Sequence, residues 1–243
     1  MQSAESLHSE IVASDLRPAV EELAQALTQH ARGALLGITL YGRCVSERFG
    51  GPLAAITSVA VVREIDIDVL RQIAEQADRL ARLRVAAPLM MTPAGIAASR
   101  DTFPLELLEI QDFHDTLWGA DHFSAIELAA EHVRLAVERE LKQIGVVLRQ
   151  AVLSAGGRDH DLSFAVEHIV ERAMRALRGL LWLRGRRGPL DRVTVTAEVA
   201  RIAAVELPGL AAAARQPKFF DFAAFRLLYD DIERLAKLSD GLR

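Results

Sequence analysis

Past Gly119 the apolar residues of this chain fall into step. Val133, Val137, Leu141, Ile144 and Leu148 recur three or four positions apart, which puts them on one stripe of a single long helix. A second stripe, Val166, Ile169, Val170, Ala173, Leu177 and Leu180, predicts a helix over 162–183. Asp221 stands where it can cap a last helix that turns Phe225, Leu228, Ile232 and Leu235 inward. Residues 191–205 also read as helix, although VTVT (193–196) is poor helix sequence on propensity. The second half is therefore expected to be an all-α bundle of four or five helices. Before Gly119 the pattern differs. Short apolar runs rich in strand formers, ALLGITLY (34–41), TSVAVV (57–62) and APLMM (87–91), predict buried strands. FPLELLEIQDF (103–113), with imperfect alternation, predicts a fourth. Helices fall between them. Leu16, Val20, Leu23 and Leu27 follow candidate caps Ser14 and Asp15, with Gly33 as the stop. Asp68 is placed to cap a helix carrying Leu70, Ile73, Ala77 and Leu80, and Thr92-Pro93 opens a short one. The expected fold class is α+β, with a mixed-sheet domain over 1–120 and a helical bundle over 121–243.

Composition narrows the function classes. With 51% hydrophobic and 26% charged residues in 243, the chain can bury a sizeable core. A net charge of −4 disfavours a globally cationic nucleic-acid binder. One cysteine, Cys44, excludes an intramolecular disulfide and a cysteine-based zinc site. The first residues, MQSAESLHSEIVASD, lack the basic start and apolar run of a signal peptide. No uncharged apolar stretch reaches the length of a membrane span. A cytoplasmic protein without membrane association is expected.

The stretch LYGRCVSERFGGPLAAITSVAVV (40–62) carries the chemistry. It reads as a strand ending in Tyr-Gly, a loop and an antiparallel return strand, preceded by a helix. This order resembles the start of the polymerase-β-like nucleotidyltransferase fold. Phe103-Pro104-Leu105-Glu106 and HVRLAVEREL (132–141) extend the likeness over nearly the whole chain. They resemble a bacterial family in which a minimal nucleotidyltransferase domain precedes a helical bundle. The resemblance implies a Gly-Ser turn after the first strand and an Asp-x-Asp pair on the second. Glycine lets backbone N–H groups approach a nucleotide triphosphate. The carboxylates would hold Mg²⁺ against the phosphates during in-line transfer. The chain departs from this pattern. Gly42 matches, but Arg43 replaces the serine, and Ile56 to Ser58 take the place of Asp-x-Asp. Neither Ile nor Ser supplies an anionic metal ligand. Arg43 has a guanidinium fork that suits a phosphate, or it pairs with Glu47.

Other candidates are weighed by their context. Asp66 and Asp68 form a displaced Asp-x-Asp, an alternative metal site, but they precede a helical period, where a cap and a helix-favouring acid explain them. Glu106 and Glu109, read as lying on the fourth strand, fall near where the resemblance implies a third carboxylate. Flanking leucines instead suggest that one of them pairs with an arginine. Asp159-His160-Asp161 reads as a solvated turn, and the seven histidines show no zinc-protease spacing. No Arg lies four to six residues before a His in the second half, as some ribonuclease modules of this kind require. Cys44 reads as a small residue packed under the Gly turn. Arg172, Arg175, Arg178, Arg184, Arg186, Arg187 and Arg192 are the densest basic run; they hold an anion or form a salt-bridged helix face.

The expected function is that of a nucleotidyltransferase-like protein without catalysis, kept for binding a nucleotide or other anion, or for assembly. Gly42, Arg43, Ser46 and Glu106 are the candidate ligand contacts, with no cofactor. The alternatives are an active transferase acting on a small molecule or protein, needing Mg²⁺ and a nucleotide triphosphate, and a homodimeric interaction protein built on the stripe over 128–153.

Overall fold

The computed structural model describes residues 16–31, 33–45, 55–156, 158–188, 190–216 and 221–241. These fall into two compact units, one drawn from Met1–Arg100 and Glu109–Glu127, the other from Asp101–Leu108 and Leu128–Arg243.

The first unit is a four-stranded sheet with helices. Helix α1 (Arg17–His30) leads into β1 (Leu35–Tyr41) and a single 3-10 turn, Gly42–Cys44. The expected caps Ser14 and Asp15 lie outside the described residues. Strand β2 (Thr57–Val62) returns antiparallel to β1, and helices α2 (Ile67–Ala74) and α3 (Ala77–Arg82) follow. Strand β3 (Leu89–Met91) pairs parallel to β2, and α4 (Pro93–Ala98) begins at the Thr92 cap. After helix α5 (Pro104–Asp112), strand β4 (His114–Gly119) pairs antiparallel to the other side of β1. The sheet order is β3-β2-β1-β4. One apolar cluster joins Leu23 and Leu27 of α1, Ile73 of α2 and Leu80 of α3 to Ile38, Leu40, Ile56, Ala60, Val62 and Leu117 of the sheet.

Two expectations are corrected here. Residues 104–112 form a helix, so Glu106 and Glu109 do not lie on a strand. Pro104 lacks the N–H that a sheet ladder needs but is tolerated in a first helical turn, and Leu and Glu are good helix formers. The fourth strand is the next segment, whose Leu117 is fully buried. In addition, Asp66 rather than Asp68 caps α2: its Oδ1 accepts from the Asp68 N–H at 2.8 Å, and the helix breaks after Ala74 instead of running on to Leu80.

The second unit contains α6 (Ala130–Ala155), α7 (Asp159–Leu183), α8 (Arg192–Ala203), α9 (Pro208–Arg215) and α10 (Phe222–Asp240). Val133, Val137, Leu141, Ile144 and Leu148 of α6 are all fully buried against Val166, Val170, Ala173 and Leu177 of α7 and Leu228 and Ile232 of α10. The predicted stripes are the core. Segment 159–161, read as a turn, is the first turn of α7. The poor helix former Thr196 is buried, and its hydroxyl is satisfied by donating to the Arg192 carbonyl at 2.9 Å. The expected Asp221 cap is formed, accepting from Ala224 N at 2.8 Å, and Asp191 caps α8 by accepting from Thr194 N at 2.9 Å. The short helix α9 buries Leu210, Ala213 and Ala214. It is fixed from outside, because the buried Asp231 of α10 accepts from the Leu210 N–H at 2.9 Å. Together the two units make an α+β chain with a mixed sheet and an all-α second part.

Candidate functional site

The end of β1 is where the polar groups of the sheet gather. In an antiparallel ladder, directly opposed residues project to the same face. Tyr41 opposes Thr57 of β2 on one side and His114 of β4 on the other, so Thr57, Tyr41 and His114 form one row across three strands. Thr39 and Thr116, in the next row on that face, approach to 3.5 Å between hydroxyls. Leu40, by the same rule, shares the opposite face with Ser58 and Asp115.

The Gly42 turn closes the row. Gly42 has φ +75°, a left-handed conformation that glycine adopts without penalty. Its N–H donates to the Phe113 carbonyl at 2.8 Å, and its carbonyl accepts from Val45 N at 3.2 Å. That N–H is therefore committed to the fold and not offered to a phosphate. Cys44 is buried beneath the turn and donates to the Tyr41 carbonyl at 3.2 Å. Burial pushes its thiol pKa up, with hydrogen bonds to Thr57 and Tyr41 opposing, which is the setting of a packed residue rather than a reactive one.

The Asp-x-Asp positions are informative. Ile56 is fully buried and belongs to the apolar cluster under the sheet. Ser58 is 1% exposed, and its hydroxyl finds no hydrogen-bond partner among the described residues. Thr57, which faces the row, donates its hydroxyl proton to the Tyr41 carbonyl. None of the three offers the charged oxygen that Mg²⁺ prefers, so these residues do not fit the metal pair that the fold implies. Asp66 and Asp68 are used at the α2 terminus, and both are exposed. Among the described residues no three His, Cys, Asp or Glu side chains come together as a metal site.

The remaining candidates separate. The Arg43 backbone is in the turn, while its side chain, with Ser46 and Glu47, lies outside the described residues. Glu106 is on α5 in the second unit and pairs with Arg175 at 3.3 Å. The basic run is largely spoken for. Arg172 makes a two-pronged contact with Glu140 at 2.6 and 3.1 Å, Arg192 pairs with Glu171, and Arg186 lies 3.5 Å from Glu198. Arg178 donates to the Leu190 carbonyl, and the Arg187 guanidinium stacks 4.1 Å over the Trp182 ring. This is the salt-bridged face, one of the two readings of the run.

Sequence reading missed the corner at His114. Its Nδ1 lies 3.1 Å from the Gln111 carbonyl, and its Nε2 is 3.4 Å from Asp121 and 3.3 Å from Ser124 Oγ. Asp121 Oδ1 caps the N–H groups of Phe123 and Ser124 at 2.8 and 3.1 Å, and Ser124 Oγ donates to Oδ2. Partial burial pulls the Asp121 carboxyl pKa upward, but hydrogen bonds from Ser124, Phe123 and His114 outweigh it and hold the group at about 2. Gln111 Nε2 adds contacts of 3.0–3.3 Å to the carbonyls of Phe123, Ser124 and Ile126. Reading 103–113 as a strand hid this corner, because it placed Gln111 on a strand instead of in α5 and stopped short of His114, which opens β4.

No family model matches the chain, and neither does any curated protein. Among solved structures, the chain is similar to spectinomycin adenyltransferase AAD(9) from Enterococcus faecialis, determined with ATP and spectinomycin. The TM-score is 0.57 at 10% identity, covering 92% of this chain and 99% of that one. The fold is nucleotidyltransferase-like. That likeness runs through both units, while the identity is too low to carry residues across. No helix among the described residues is long and apolar enough to cross a membrane.

Proposed function

We propose that this protein is a nucleotidyltransferase-fold ligand binder that does not catalyse two-metal nucleotidyl transfer. The observation that carries this reading is the content of positions 56–58, where two side chains are buried in the sheet and the third hydrogen-bonds to its neighbour strand. Transfer of this kind depends on positioning and charge neutralisation by bound metal, so the loss of the metal ligands removes the chemistry. The features that support the ligand-binding reading are the left-handed Gly42 turn, Arg43 as the next residue in sequence, and the polar row Thr57–Tyr41–His114. A nucleotide or another anionic small molecule is the ligand class that an arginine at the Gly-Ser turn position of the resemblance suits by its chemistry. The similar structure was solved with ATP, which supports a nucleotide as the first ligand to try. The usual rivals for the missing carboxylates are engaged elsewhere: Asp66 as a cap and Glu106 with Arg175.

Calorimetry with ATP, with and without Mg²⁺, paired with a pyrophosphate-release assay, tests the reading. Binding indifferent to Mg²⁺, no pyrophosphate, and at least tenfold weaker binding in Arg43→Ala are expected. Mg²⁺-dependent binding with pyrophosphate release would establish an active transferase instead. Absence of any ATP binding, together with a dimer in light scattering, would point to assembly. The exposed Leu135, Val146 and Leu153 of α6 are the residues such a dimer would cover.

A further inference from the structure

The outer side of α6 carries an arrangement that the bundle core does not use. The buried stripe of that helix faces inward, yet Leu135 and Val146 are 48% and 45% exposed. They stand nearly in line on the helix, because eleven residues make about three turns. Both line one groove of about 570 Å³, together with Ala136 and the polar side chains of Asp101, His132 and Arg139. All of these residues belong to the second unit. The volume falls within the roughly 300–1,000 Å³ of small-ligand sites, and so does the make-up: an apolar floor with a few polar groups.

The charges along the groove differ in what they already hold. Glu138 and Lys142 are engaged: Lys142 Nζ lies 2.7 Å from Glu138 and 2.6 Å from Asp240 of α10, and Glu138 also takes Arg134 at 3.3 Å. Arg139 is not. Among the described residues its guanidinium makes one contact, 3.4 Å to the Thr102 carbonyl, which is longer than a normal N–H···O bond, and no carboxylate pairs with it. An arginine stays charged and carries five N–H donors, so most of them remain on offer. Asp101, next to Thr102 in the chain, accepts from the Thr102 hydroxyl at 3.0 Å and, among the described residues, pairs with no cation. The guanidinium and the carboxylate are thus brought to one groove through Thr102 without pairing. Opposite charges side by side favour neither a net anion nor a net cation. They suit a head group that carries both signs on neighbouring atoms, with an apolar tail for the floor.

We propose that this groove binds a free amino acid with a large apolar side chain. The ligand carboxylate accepts from two N–H groups of the Arg139 fork, a geometry that arginine offers and lysine does not. The ligand ammonium donates to the Asp101 carboxylate. The apolar side chain covers Leu135, Ala136 and Val146 and removes their exposed surface from water. The site shares no residue with the Gly42 turn or the polar row of the sheet, so it stands whether or not a nucleotide binds there.

The test is calorimetry of the full chain with L-phenylalanine, without nucleotide. Saturable binding of one equivalent is expected. N-acetyl-L-phenylalanine, which lacks the ammonium, and L-phenylalaninamide, which lacks the carboxylate, should each bind about tenfold more weakly or worse. Arg139→Gln and Asp101→Asn should each weaken binding of the free amino acid by a similar factor. The losses should not add where variant and analogue remove the same contact: Arg139→Gln should leave affinity for the amide within about twofold, and Asp101→Asn that for the acetylated form. Both side chains are exposed, and far-UV circular dichroism checks that each variant folds. No saturable binding of L-phenylalanine, equal binding of the blocked analogues, or full affinity in both variants would overturn the site.

Discussion

Thr57 shows how one side chain decides what a corner of the fold can do. Its hydroxyl is spent on the Tyr41 carbonyl, so it ties the two strands together where a carboxylate would have held an ion. That the metal pair was missing was legible in the residues alone. Which position faces the row was not, because a one-residue register change turns every strand side chain to the other face. Gly42 makes a sharper residue-level statement. At φ +75° an added Cβ would meet only Thr57 Oγ1 at 3.5 Å, an ordinary contact, so the cost of Gly42→Ala is backbone strain. A loss of about 1–2 kcal/mol is expected in urea unfolding. Asp191 gives a pH signature. Hydrogen bonds from the Thr194 hydroxyl and N–H, opposed by slight desolvation, hold its pKa below the usual value of 3.8. A depressed folded-state pKa means stability that is present above pH 3.8 and lost as the pH falls through the lower folded value. Asp191→Ala should therefore cost about 0.5–2 kcal/mol at pH 6, and the gap to wild type should shrink as denaturation is repeated below pH 4.

At the level of elements, the long helices were legible because their periods run for several turns, and Leu141 or Ile144 has one place to go. The short ones were not. In α5, nine residues with apolar groups at 105, 107, 108 and 110 satisfy either period, and Pro104 settles the matter only if its role at a helix start is given weight. In α9 the deciding partners are on another helix. Gly209 packs so closely on α10 that a Cβ would fall 2.2 Å from Leu228 N, and Asp231 reaches back to the Leu210 N–H. No window around 208–215 contains that information. Gly209→Ala must push α9 off α10, and a destabilisation of about 1–3 kcal/mol or more is expected by thermal unfolding.

For the molecule as a whole, the described residues hold an apolar cluster under the sheet and another inside the bundle, each with its own fully buried centre. If each is a cooperative unit, native-state hydrogen exchange will show it. Leu23→Ala should lower protection of the β1 and β2 amides while leaving the α6 and α7 amides at wild-type rates, and Leu141→Ala should do the reverse. Equal losses everywhere in both variants would mean a single cooperative structure. The His114 corner has a different standing in time. The β1–β2 pairing closes over a short span, since Thr57 reaches a carbonyl 16 positions back, whereas Thr39 meets Thr116 across 77 positions. Closing the longer loop costs more chain entropy and is rewarded later, so non-local pairing is the slower step. The turn and its first two strands can thus form early as a local hairpin. The imidazole that completes the row arrives only with β4, which makes the corner a reporter of finished folding: a chain that has gained Tyr41 opposite Thr57 but not His114 opposite Tyr41 has secondary structure and no site.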